Sequence, residues 1–142
     1  MQNFIIKTHR QGTIYPQPHL FILNKGNNSG KPQKEPFTNC FVIIFEKETD
    51  AENLYFIALS LWKSYFWHPF LCGSVIPFLR IHDFKKEFSR KATIMMKQHE
   101  EHLKNVQALK LLEQQETHYQ KNLNLINELR KVIIQRYCNK SV

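Results

Sequence analysis

The sequence predicts an α+β fold: a small, mostly antiparallel sheet with one packed helix, followed by a long coiled-coil-like C-terminal helix. Two observations carry that prediction. All four glycines and all six prolines lie at or before Pro77, and none occurs in the 65 residues from Phe78 to Val142. Both residues supply turn geometry and are costly inside helices, so the first part reads as a loop-rich module and the second as helix. The apolar pattern changes at the same place, from short runs bounded by turn residues to heptad-like spacing. The expected division is a compact module over 1–82 and a long helix over 83–142.

Phe4-Ile5-Ile6 and Leu20-Phe21-Ile22-Leu23 are expected strands, separated by the turn-forming Pro16-Gln17-Pro18. Asn24 to Asn39 holds two glycines and two prolines among Asn, Ser and Lys, and reads as an exposed loop. Phe41-Val42-Ile43-Ile44-Phe45 has the composition of a strand buried on both faces. Thr49 and Glu52 have capping-box spacing, so a helix is expected from about Ala51 to Phe66. Leu54, Ile57, Ala58, Leu61 and Tyr65 give it one apolar stripe. Gly73 and Pro77 then frame a structural turn, which Val75, Ile76, Phe78 and Leu79 are expected to anchor to the core.

From Asp83, a candidate N-cap, one helix is expected to run to about Cys138, roughly 80 Å at 1.5 Å per residue. Phe88, Ala92, Met95, His99, His102, Val106 and Leu109 follow 4-3 alternation. After a stammer at Leu112 the alternation resumes through Glu116, Tyr119, Leu123, Ile126, Arg130, Ile133 and Tyr137. Such a stripe is longer than a module of about 80 residues can cover. It therefore needs a second copy or a helix of another protein, with Met95, Val106, Leu109, Leu112, Tyr119, Leu123, Ile126 and Ile133 as association residues. The alternative, a hairpin bent within Glu113–Thr117, lacks Gly, Pro or Asn to make the turn.

The formal charge of +8 in 142 residues favours polyanionic partners. Residues 1–83 carry 8 basic and 6 acidic groups, and residues 84–142 carry 12 and 6, so the excess sits mostly on the helix, where a solvated face explains it equally well. Cys40, Cys72 and Cys138 are odd in number and far apart, which argues against a disulfide framework or zinc site and fits a reduced cytoplasm. No stretch has the length of a signal h-region or membrane span, so no membrane partner is expected.

No catalytic constellation is legible. Gly26-Asn27-Asn28-Ser29-Gly30-Lys31-Pro32 looks like a phosphate loop, but three residues separate its glycines where a P-loop has four, and Pro32 stands where magnesium needs a hydroxyl. His99 and His102 lack a third ligand, so no metal and no cofactor are expected. A hydrolase or nuclease would require Asp50, Asp83 and a glutamate in one cleft with a lysine. The Asn24–Asn39 loop instead offers Lys25, Lys31 and Lys34 to phosphates and Asn27 and Asn28 to base edges, with Ser29 as a further DNA-binding candidate.

Leu54-Tyr55-Phe56, then Gly73-Ser74-Val75-Ile76-Pro77, then Ile81-His82-Asp83-Phe84-Lys85 resembles the end of a target recognition domain from type I restriction-modification specificity subunits. In that family an aliphatic-Tyr-Tyr helix leads to a Gly-Ser-aliphatic-Pro turn and a long helix. The resemblance covers about 35 residues; Glu87-Phe88-Ser89 replaces the family's proline-rich segment, and one half-domain stands where the family has two. With its Asn24–Pro32 loop, Asn-Lys-Gly-Asn-Asn-Ser-Gly-Lys-Pro, the chain also looks like members of a small uncharacterised bacterial domain family. The restriction resemblance implies a non-catalytic module of a restriction-type or mobile-element system that recognises or docks duplex DNA; read from the residues themselves, Ser74 and Arg80 are the turn's polar candidates for contacting it. The rival expectation is a protein–protein adaptor acting through the C-terminal helix.

Overall fold

A computed structural model of the chain describes residues 3–140, without the side chain of His99. The elements are β1 (Phe4–Thr8), β2 (His19–Leu23), β3 (Pro32–Gln33), β4 (Cys40–Phe45), α1 (Glu48–Lys63), α2 (Ile81–Lys97) and α3 (His99–Cys138), with a 3-10 turn at His68–Phe70. The strands make one antiparallel sheet in the order β1-β4-β2-β3, so the fold is α+β with a long C-terminal helix, as predicted. The chain divides into two compact units, Met1–Lys104 and Asn105–Val142.

In the first unit β4 lies inside the sheet because an apolar run can be satisfied only with cover on both faces. On one face Ile43 pairs with Ile6 of β1 and Leu20 of β2, and joins Ile22, Phe41 and Phe45 under the helices. α1 contributes Leu54, Ile57, Ala58 and Leu61, and α2 contributes Phe84, Phe88 and Ala92. The Phe84 and Phe88 rings stack with centroids 5.2 Å apart, and Trp67 lies 4.9 Å from Phe84. Full burial of each large side chain stabilises by about 1.5–3 kcal/mol, which makes this layer the main source of stability. On the other face Phe21, Cys40 and Val42 are covered by Tyr15, held to His9 by a 3.0 Å contact between the ring Nδ1 and the phenol oxygen.

Several helix ends differ from the sequence reading. α1 begins at Glu48 with Lys47 as N-cap and no side-chain capping bond, so Thr49 lies inside the helix and the capping box does not form. Glu48 and Asp50 stabilise the first turn through the helix dipole instead. The helix stops at Lys63, short of Phe66. Tyr65 takes φ +59, with its N–H donating to the Trp62 carbonyl and that of Phe66 to the Leu61 carbonyl, a Schellman closure in which glycine is the usual residue. Tyr65 is therefore swung out of the apolar stripe and exposed.

α2 begins at Ile81 with Arg80 as N-cap; Asp83 sits in the first turn and accepts a 2.9 Å bond from Arg80 Nε rather than capping. The expected single helix from Asp83 to Cys138 is broken at Gln98, whose φ of −98° and ψ of 62° are not helical. The stripe that packs on the sheet runs out just before this point, and Glu100 and Glu101 restart α3 with acidic groups at its N-terminus. No hairpin forms at Glu113–Thr117: the helix passes straight through, with Thr117 Oγ1 donating to the Glu113 carbonyl at 3.0 Å. The units divide between Lys104 and Asn105 rather than at 82/83, because Phe84, Phe88 and Ala92 belong to the core.

Candidate functional site

Within the first unit, the two motifs singled out in the sequence are joined by backbone hydrogen bonds. The Gly26 N–H donates to the Pro77 carbonyl at 2.7 Å and the Leu79 N–H to the Asn24 carbonyl at 2.8 Å, so Lys25 and Phe78 pair as an isolated bridge. Phe78 also exchanges two 2.9 Å bonds with Cys72, closing residues 72–78 into a tight turn. Gly73 has φ +97, and a Cβ there would stand 2.7 Å from the Ile76 carbonyl oxygen, so only glycine fits. Gly30 has φ +95 and lies against the Trp67 indole, where a methyl group would overlap the ring. The loop is thus a folded cap on Trp67 rather than a free arm.

This geometry sorts the predicted residues. Lys25, Asn27, Asn28, Ser74 and Arg80 are exposed around the paired loops, and Lys34 is exposed beyond β3. Asp83 raises the Arg80 pKa further above its already high range, so that cation is permanent. Lys31 is half-buried with its Nζ 5.1 Å from the Trp62 ring centre, so part of its charge is already engaged. Ser29 is buried, and its hydroxyl donates to the Gly26 carbonyl at 2.7 Å. It holds the loop's shape and does not present a contact. Of the residues expected to anchor the turn, only Leu79 is buried. Val75 is 90% exposed, with Ile76 and Phe78 also exposed, because the Cys72–Phe78 bonds close the turn on itself before its tip reaches the core.

The first unit also carries a cleft of about 420 Å³ lined by Asn3, Phe4, Asp50, Leu54, Ala92, Thr93, Met96 and Lys97. Asp50 and Lys97 are its charged groups among the described residues; Asp83 is not part of it and is engaged by Arg80. The carboxylate cluster that a hydrolase needs is not brought together there. Among the described residues no group of three His, Cys, Asp or Glu could hold a metal ion. His102 is buried, and the His99 side chain lies outside the described residues. Burial pushes the Cys40 thiol pKa up, which keeps it protonated and unreactive.

The association residues separate just as clearly. Met95, in the first unit, packs against its core, while Val106 is buried and Leu109 half-buried. Leu112, Tyr119, Leu123, Ile126 and Ile133 are all at least half exposed. The sequence reading missed a flanking line of exposed apolar residues, Leu111, Leu125, Leu129 and Val132. Its signal was present in the sequence as the four- and three-residue steps from Leu125 to Leu129 and Val132, with Leu111 two heptads earlier, offset from the first stripe.

A family model matches residues 6–136, and the chain belongs to that family, described as a family of unknown function (DUF6943). Comparison with the curated proteins and with the solved structures finds no match in either. Among the described residues no helix is long and apolar enough to cross a membrane.

Proposed function

We propose that this family member is a non-catalytic association module whose C-terminal helix binds a helical partner in the cytoplasm. One observation carries the reading: between Leu111 and Tyr137, eleven large apolar side chains are exposed on one continuous helix. Covering a half-exposed Leu or Ile contributes about 1 kcal/mol. Ten or so such side chains in a two-helix contact therefore match the roughly 4–15 kcal/mol that association costs. Sedimentation velocity tests it. The full chain should sediment above its 17.0 kDa monomer mass at micromolar concentration, and Ile126→Asp/Ile133→Asp should return it to monomer. A monomeric full chain would overturn the reading.

A second reading is supported by the bonded loops: docking of duplex DNA, in a restriction-type or mobile-element system, through the exposed Lys25, Asn27, Asn28, Ser74 and Arg80. The resemblance of the Leu54–Lys85 segment to a target recognition domain supports it, and helix-mediated pairing would supply two recognition halves. Counterion release predicts affinity that falls steeply from low to physiological salt, with a shallower slope when Lys25 and Lys34 become Ala. Absence of binding in low salt would defeat it.

A further inference from the structure

Resting on the association reading, we infer that the partner of this helix is a second copy of the chain, bound antiparallel with the two-fold axis near Leu123. The exposed seam from Leu112 to Tyr137 contains two charged residues, Glu116 and Arg130, each seven residues from Leu123 on opposite sides. Both are exposed, and Arg130 makes a 3.4 Å contact to Asn127 Oδ1, a weak partner that a carboxylate would replace.

Charge placement selects the direction. A parallel, in-register pair would set Glu116 against Glu116 and Arg130 against Arg130 inside the seam, two like-charge layers. Reversing one helix about Leu123 brings Glu116 of each copy to Arg130 of the other, and both repulsive layers become attractive at once. The match survives small adjustment. Centring on the Leu123–Ile126 layer instead shifts each pair by three residues, about 4.5 Å along the axis, within reach of Glu and Arg side chains. The same reversal places exposed Leu112 of each copy near exposed Ile134 of the other, so apolar residues meet at both ends.

The native cysteines provide the test. Cys138 is exposed and Cys40 buried, so in a Cys72→Ser background a spin label goes to Cys138. Cys138 lies fifteen residues beyond Leu123, which puts the two labels about 45 Å apart in the antiparallel pair at 1.5 Å per residue. In a parallel pair they stand on the order of 10 Å apart, and mild oxidation joins Cys138 to Cys138. Pulsed dipolar spectroscopy should give the long distance. Glu116→Arg should weaken dimerisation about tenfold, and adding Arg130→Glu should restore it to within about threefold. A short distance with ready Cys138 cross-linking, or a Glu116→Arg variant that dimerises as tightly as the parent, would overturn the antiparallel arrangement while leaving the association reading intact. A monomeric parent chain would overturn both.

Discussion

α2 and the part of α3 in the second unit are both amphipathic helices of one chain, yet they end in opposite states. α2 presents Phe84, Phe88 and Ala92 to the sheet, all at most 2% exposed. Leu123, Ile126 and Ile133 lie on one heptad stripe of α3 and are 50–65% exposed. Helical periodicity states that a stripe exists, but a stripe becomes a core only where another apolar surface lies within chain reach. α2 follows the Pro77–Leu79 segment bonded to the Asn24 loop, which delivers its first turn to the sheet. The second unit holds no strand or further helix among its described residues to do the same.

Phe88 is fully buried and Ile126 half exposed. Phe88→Ala should destabilise the first unit by about 3–5 kcal/mol in thermal or urea unfolding, from lost burial and a residual cavity. Ile126→Ala should leave that transition within about 0.5 kcal/mol, as for other surface positions, and act on self-association alone. Equal effects on the first unit's unfolding would erase the distinction.

The glycines sharpen it within the first unit. Gly30→Ala must displace the Trp67 indole as well as adopt φ +95, and should cost about 3 kcal/mol or more, read as a lower melting temperature and altered tryptophan fluorescence. Gly26→Ala has a similar φ of +91 but open space, and should cost only about 1 kcal/mol. Tyr65 is the converse case, an exposed L-residue in left-handed backbone. Tyr65→Gly should stabilise by about 1 kcal/mol.

The smallest effect separates the cysteines. Cys138 should react with a thiol reagent at once, and Cys40 only on unfolding, as read by mass spectrometry of labelled peptides. Because burial raises the Cys40 pKa, the folded state favours the protonated thiol. That contribution is present in full below the unfolded thiol pKa of about 8.5 and is lost as pH rises through the higher folded value. Stability attributable to Cys40 should therefore decline only on the alkaline side, and Cys40→Ala should remove that alkaline slope.

Strands β1, β2 and β4 and the existence of helix were legible because they follow from local pattern, whereas β3 (Pro32–Gln33) lies in the segment expected as an exposed loop. β4 is apolar at every position from Phe41 to Phe45, and helical content after Pro77 follows from the absence of breakers. Helix ends were not, since they depend on tertiary demand. Tyr65 accepts a glycine-like conformation because Phe66, Trp67 and Phe70 must turn into the core beyond it. The Gln98 break occurs without Gly or Pro, where the sheet-facing stripe ends. At the candidate site, spacing identified both loops but not their bonding to each other. Nor did it show that Ser29 turns inward while Val75 turns outward, which is decided by carbonyl acceptors at Gly26 and Cys72 that no side-chain pattern reveals.

Amide hydrogen exchange at residues 111–137, measured across a concentration series, shows whether a second chain covers this helix. An apolar helix completed by a second chain should gain protection as concentration rises, while β4 and α2 exchange at unchanged rates. Protection at residues 111–137 that stays constant from dilute to concentrated solution would mean that no second chain covers it.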